Sequence, residues 1–394
     1  MRSAHHALWV AAALSLGAAV SLGVTRFSYG LLLPAMRADL QWTYTLAGAM
    51  NTANAVGYFV GAVATPWLTR RWSPSQLLVW GAWAASVLMG LGGLFVDAGT
   101  LLCQRLLAGV ASAVVFIAGG LLAAQWGARE PQRGGLLLGM YYSGTGLGIV
   151  LCAALVPWLL ELTQAQNHGW RWAWWVLALC CALASALLRW PAQAAAQSHA
   201  AVQHATAAGR LAFEWRKFAF SLAGYGMFGV GYIGYMTFVV AHLRAQGSST
   251  LMVAVFYGLL GLAVVLSSRV WAGLLDRQKG GGALATLNAL LAIATVLPAL
   301  SSHPAVVLLS GVMFGGVFLS VVASTTALVR HNVEQAGWAA GISAFTIVFA
   351  AGQIVGPTVV GWIADGPGGL SQGLLFSSAA LWVGAALAWR QRAL

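Results

Sequence analysis

The stretch from Ala7 to Leu33 is one apolar run broken by a single charge, Arg26, and runs of similar length follow one another to the C-terminus. Each is long enough for a bilayer-spanning helix, which needs about 20 residues. Backbone polar groups find no water in hydrocarbon, so such a run satisfies them internally as a helix. Composition agrees: 60% of residues are hydrophobic, only 7% are charged and the mean hydropathy is +0.80, whereas soluble domains carry about 25% charged residues. Twelve spans of this length would use about 240–300 of the residues, which leaves no room for a soluble catalytic domain.

Hydropathy and breaker residues predict spans over 7–34, 44–66, 75–96, 100–126, 134–160, 170–190, 217–243, 250–274, 281–300, 304–328, 337–364 and 371–389. The expected fold class is therefore an all-α polytopic membrane protein. If the N-terminus is inside, fourteen of the Lys and Arg residues fall on the cytoplasmic side. Only Arg37, Arg171 and Arg244 fall opposite, which predicts that both termini are cytoplasmic. The net charge of +12 then reflects membrane orientation and needs no nucleic acid. The first run is too long for a signal peptide and is expected to stay as an uncleaved helix. The four cysteines lie in apolar segments and behave as small hydrophobes.

An Ala/Gln/His-rich connection, 191–216, divides six spans from six, predicting an N-terminal bundle over 1–190 and a C-terminal bundle over 217–394. His199 and His204 in it, and the pair His5 and His6, lack further ligands for a metal, and no cofactor is expected. The halves echo each other. Arg133, Gly134 and Gly139 open the fifth span as Gln335, Ala336, Gly337 and Gly341 open the eleventh; SGTGLG from Ser143 and AGQIVGP from Ala351 follow. Duplicated units of this kind build many membrane carriers.

Arg26 lies about 12 Å below Pro34 along the helix. Inserting a charge near a helix centre costs about 2.5–3.5 kcal/mol. A 100° wheel places Ser15, Ala19, Gly23, Arg26, Tyr29 and Gly30 on one face, with Val20, Val24, Phe27 and Leu31 on the other. All eight acids (Asp39, Asp97, Glu130, Glu161, Glu214, Asp276, Glu334 and Asp365) lie in connections or at span edges. A fixed cation in a low-dielectric setting without a mid-membrane carboxylate attracts an anion, and a guanidinium suits carboxylate or phosphate. The alternative is a structural arginine that snorkels or bonds to carbonyls.

Asn51, Asn54 and Tyr58 share a face of the second span, to bind substrate or to hydrogen-bond a neighbouring helix, while Gly57 and Gly61 allow close packing. Tyr225, Phe228, Tyr232 and Tyr235 run along one side of the seventh span among glycines that would let it bend, and Gln353 sits beside a flexion point at Gly356 and Pro357. GVGYIG at Gly229 lies inside an apolar span, with no strand before it, and is no dinucleotide site.

Taken together, RLLAG at Arg105, the glycines of the fifth span and GLLDRQKG at Gly273 resemble motifs of the major facilitator superfamily (MFS) across the whole chain. The usual proline of the fifth-span motif is missing, and the matching first-half loop, GAVATPWLTRR at Gly61, has lost its aspartate. GVTRFSYGLLLPAMRADL followed by GAMNTANAVGY is similar to the YbfB/YjiJ-type branch. The resemblance implies two pseudo-symmetric six-helix bundles and a secondary transporter, not an enzyme, in the inner or plasma membrane, working by alternating access. It implies coupling or substrate binding by Arg105, with snorkelling as the alternative, and a cytoplasmic latch at Asp276 and Arg277. The expected cargo is an organic anion or zwitterion, possible proton coupling included, held by Arg26 with Asn51, Asn54, Tyr58, Tyr232 and Gln353. The alternatives are multidrug or sugar efflux with a structural Arg26, and a non-transporting sensor. A monomer in the lipid bilayer is expected.

Overall fold

The computed structural model describes residues 2–127, 134–196, 213–334 and 337–394. Most of the connection beyond residue 196, with His199 and His204, and the positions of Arg133, Gln335 and Ala336, lie outside the described residues. No strand occurs among the described residues. The helices are α1 (Arg2–Ala18), a π-helical segment (Ala19–Arg26), α2 (Ser28–Asp39), α3 (Tyr44–Leu68), α4 (Pro74–Gly92), α5 (Ala98–Gly127), α6 (Gly134–Leu162), α7 (Trp170–Leu187) and α8 (Arg189–Ala196). There follow α9 (Ala219–Ala245), α10 (Thr250–Val270), α11 (Ala272–Arg277), α12 (Gly282–Leu300), α13 (Pro304–Asn332), α14 (Trp338–Ala364) and α15 (Gly369–Trp389).

Among the described residues, eleven helices are long and apolar enough to cross a membrane. α3 is long enough at 25 residues, but Asn51 and Asn54 dilute its apolar character. Two predicted ends change. The eighth span stops at Val270, where Trp271 separates α10 from the short α11, so Asp276 and Arg277 lie on a helix of their own and are exposed. The sixth span continues as helix through α8.

Helix starts carry local signals. Ser73 and Gln76 form a reciprocal capping box on α4, Asp97 accepts the Thr100 amide at 2.7 Å before α5, and Ser249 accepts the Met252 amide at α10.

The chain forms two compact units, Met1–Gln41 with Ala53–His204, and Trp42–Thr52 with Ala205–Leu394. In the first, the α1–π–α2 span packs on α5 and α6, and α4 pairs with α5 and α7. In the second, α9 packs on α14 and α15, α12 on α13 and α15, and α10 on α13. Burial marks the central span of each. The best apolar window of α9 with its lead-in is 94% buried, and that of the first span 72%, against 33% for α7 with α8.

Candidate functional site

In the first unit the site begins with a change of helix type. Between Ala19 and Arg26 the hydrogen bonding widens, with the Phe27 amide donating to the Leu22 carbonyl at 3.1 Å. Single π turns inside α-helices recur at functional sites. Tight packing accompanies this one: a Cβ on Gly23 would sit 2.7 Å from both Gly148 Cα and the Thr145 carbonyl oxygen of α6. The Thr25 hydroxyl donates back to the Val20 carbonyl at 2.7 Å.

Arg26 ends the π turn, 3% exposed, with its guanidinium 5.4 Å from the Tyr58 ring centroid. Arg105 of α5 is 1% exposed and donates from Nη1 to the Thr25 carbonyl at 3.0 Å. Its guanidinium lies 5.0 Å from the Tyr29 ring and 5.9 Å from that of Trp174. Thr25, whose carbonyl Arg105 holds, is the residue next to Arg26 in the chain. Asn54 donates to the Arg105 carbonyl at 3.1 Å, while its buried Oδ1 accepts no hydrogen bond among the described residues. The first unit thus gathers buried Arg26, Arg105, Asn54 and Tyr29 with the half-buried Tyr58.

Each guanidinium is buried against an aromatic ring of the same unit, a placement that weighs against snorkelling. The two-faced wheel of the first span fails: every residue from Val20 to Leu33 is buried, and the π turn interrupts the 3.6-residue period on which the wheel rests.

The second unit holds the remaining candidates in two pairs. Asn51 donates to the Thr237 hydroxyl at 2.7 Å, and the Tyr232 hydroxyl donates to Gln353 Oε1 at 2.9 Å. Asn51 and Asn54, one turn apart on α3, each donate to a different neighbour. Tyr225, Phe228, Tyr232, Phe349 and Phe318 form a ladder of nearly parallel rings, with Phe228 and Tyr232 4.8 Å apart at 20°. The glycines of α9 pack closely: a Cβ on Gly229 would meet the Phe349 carbonyl oxygen at 2.6 Å. Gly356 and Pro357 are buried within α14, which continues unbroken past them.

Thr25, Tyr29 as a partner of Arg105, Trp174 and Thr237 escaped the sequence reading. A hydroxyl beside Arg26 was the available sign for Thr25; no spacing signal marks Trp174 or Thr237. No group of three His, Cys, Asp or Glu residues able to hold a metal occurs among the described residues.

A family model described as "Uncharacterised MFS-type transporter YbfB" matches residues 18–389. The chain is 28% identical over 160 residues to a putative metabolite transport protein of Haemophilus influenzae, covering 40% of this chain and 37% of that one. It is 29% identical over 169 residues to a chloramphenicol resistance protein of Streptomyces lividans, covering 42% and 40%. The matched part thus spans less than half the length of either relative. Among solved structures, a bacterial homologue of the human lysosomal transporter Spinster superposes with a TM-score of 0.68 at 14% identity, over 97% of this chain and 96% of that one. The nucleoside transporter NupG gives 0.69 at 14% identity, over 98% and 99%. At these identities the likeness concerns the fold.

Proposed function

Because the chain belongs to the YbfB-type family of MFS transporters, we propose that its cargo is a small organic anion or zwitterion, held in the first unit by Arg26. Transport across a membrane, rather than catalysis, follows from the family. The observation that supports an anion is the burial of both Arg26 and Arg105, the latter bonded to the carbonyl of Thr25 next to Arg26, in a chain whose eight acids all lie in connections or at span edges. In that low-dielectric setting a carboxylate gains far more from a guanidinium than it would in water. The Tyr58 ring beside Arg26 and the Oδ1 of Asn54, whose Nδ2 bonds the Arg105 backbone carbonyl, are further candidate contacts, and the acceptor character of that Oδ1 suits the ammonium of a zwitterion. Asn51, Tyr232 and Gln353 are the second unit's candidates for substrate contact.

Arg105 in this reading serves coupling, and a proton travels on the cargo's own acid group or is replaced by anion exchange. Asp276 and Arg277 form a latch, Gly356 and Pro357 supply flexion in α14, and the cycle is one of alternating access. The protein is a monomer of the inner or plasma membrane with both termini cytoplasmic.

Uptake into proteoliposomes against a panel of carboxylates, amino acids, sugars and lipophilic cations tests this. Carboxylate transport is expected, reduced at least a hundredfold in Arg26→Gln with an unchanged melting profile, and partly retained in Arg26→Lys. Undiminished transport by Arg26→Gln removes the residue from the site. The second reading, drug or sugar efflux with Arg26 structural, draws support from the similarity to a chloramphenicol resistance protein. It predicts that neutral or cationic compounds move and carboxylates do not.

A further inference from the structure

The loop after α3 and the surface between α4 and α5 play no part in the proposed cargo site. At the end of α3, Arg70 and Arg71 are both exposed, and the Arg71 guanidinium lies 4.5 Å from the Trp67 ring. Trp67 meets Trp72 edge to face at 6.5 Å, and Trp72 meets Trp80 at 6.3 Å. Trp67 and Trp80 remain 49% and 52% exposed, so this chain of indoles is an open surface.

Trp80 also lines an apolar groove of about 360 Å³ between α4 and α5, with Gly81, Ala84, Leu88, Leu107 and Ala111. The groove extends along α4 from Leu77 to Leu88, about 16 Å at 1.5 Å per residue. That is close to half of a hydrocarbon core about 30 Å thick, the depth of one leaflet. Small residues form it: Gly81 has no side chain, and Ala84 and Ala111 stop at Cβ. The chain of indoles thus links the basic pair, in the loop between α3 and α4, to the groove: Arg71 meets Trp67, Trp67 meets Trp72, and Trp72 meets Trp80, which lines the groove.

Charge selects the occupant. No acid occurs between Asp39 and Asp97, so the loop carries its two positive charges without a local carboxylate. Arginine forks match phosphate oxygens, tryptophans settle at headgroup level, and an apolar groove open to the membrane accepts an acyl chain. We propose that this surface binds one anionic phospholipid, with its phosphodiester at Arg70 and Arg71, its glycerol region over Trp72, and an acyl chain in the groove from Trp80 to Leu88. The site is independent of the cargo reading.

The test is lipid retention. The full-length protein is reconstituted in nanodiscs of equal phosphatidylglycerol and phosphatidylcholine, extracted, and its bound lipid identified by native mass spectrometry. Phosphatidylglycerol is expected to be enriched about 25-fold, since each of the two basic residues near a charged surface adds roughly a fivefold preference. Arg70→Gln with Arg71→Gln is expected to abolish that enrichment and leave phosphatidylcholine binding unchanged. Ala84→Trp, which fills the groove from an exposed position, is expected to lower retention of both lipids with the arginines intact. Inorganic phosphate at millimolar concentration is expected to displace neither. Equal retention of the two lipids by the unaltered protein overturns the proposal. So does enrichment that survives the double substitution, full retention in Ala84→Trp, or displacement by phosphate, which would reveal a site for small anions.

Discussion

The Arg105 guanidinium donates to the Thr25 carbonyl while resting near Tyr29 and Trp174. A charge buried in this way is held by a charge-assisted hydrogen bond and by the negative faces of aromatic rings. Replacing it with methionine keeps much of the volume but leaves the Thr25 carbonyl without that donor. Arg105→Met is expected to lower stability by about 1.5–3 kcal/mol, the worth of a hydrogen bond to a charged group, measured by thermal unfolding in detergent. Arg105→Lys should recover only part of this, because an ammonium lacks the planar fork that lies against the rings while donating. Full stability in Arg105→Met would show that the carbonyl is satisfied without it.

At the scale of an element, the π segment and α3 depend on contacts outside their own hydrogen-bond ladders. Gly23 and Gly148 bring two backbones together, with only 2.7 Å between an added Cβ on either and the other's Cα. Gly148→Val is expected to push α6 off the π segment, at about 1–3 kcal/mol for overpacking, and to reduce transport through displacement of Arg26. Comparing melting midpoints with initial uptake rates checks both effects. α3 starts without an acid of its own in the first turn. Asp365, at the end of α14, supplies the cap: its Oδ1 accepts the Tyr44 amide at 2.7 Å, and its Oδ2 accepts the Thr45 amide at 2.8 Å and the Thr45 hydroxyl at 2.6 Å. Asp365→Ala is expected to cost about 0.5–2 kcal/mol, as loss of an N-cap does, and to speed amide exchange at Tyr44 and Thr45. Unchanged exchange there would place the cap's contribution elsewhere.

At the scale of the whole molecule, each unit is organised around one nearly encased span, α1–π–α2 in the first and α9 in the second. The end of the chain ties the second unit together. Gln391, 6% exposed, donates from Nε2 to the Lys217 carbonyl at 2.9 Å, and its own carbonyl accepts the Gly281 amide at 2.9 Å. The Leu394 amide donates to Asn332 Oδ1 at 2.6 Å. One short tail thereby touches the start of α9, the approach to α12 and the end of α13. Gln391→Ala is expected to lower the melting midpoint of the chain by a few degrees, corresponding to about 0.5–1.5 kcal/mol for the loss of a part-buried hydrogen bond. An unaltered midpoint would reduce the tail to a passenger.

The sequence alone determined the helical class, the near-terminal positions of the acids, and most span boundaries to within a few residues. Apolar runs of bilayer length admit few conformations in lipid, so Ala98–Gly127 or Pro304–Asn332 could be placed from hydropathy and breakers. The small-residue positions Gly57 and Gly61 were legible for the same reason: only a close helix neighbour explains them, and a Cβ on Gly61 would sit 2.6 Å from the Val110 carbonyl oxygen. Tertiary structure alone decided the rest. The π turn at Ala19–Arg26 depends on contact with α6 and α5, 91 residues away in the case of Ser21 and Ser112. The partners of Asn51 and Asn54 likewise come from elsewhere in the chain, Thr237 for one and the Arg105 carbonyl for the other. Helical period reports which residues share a face; the partner that covers the face comes from distant parts of the chain, and local spacing carries no record of it.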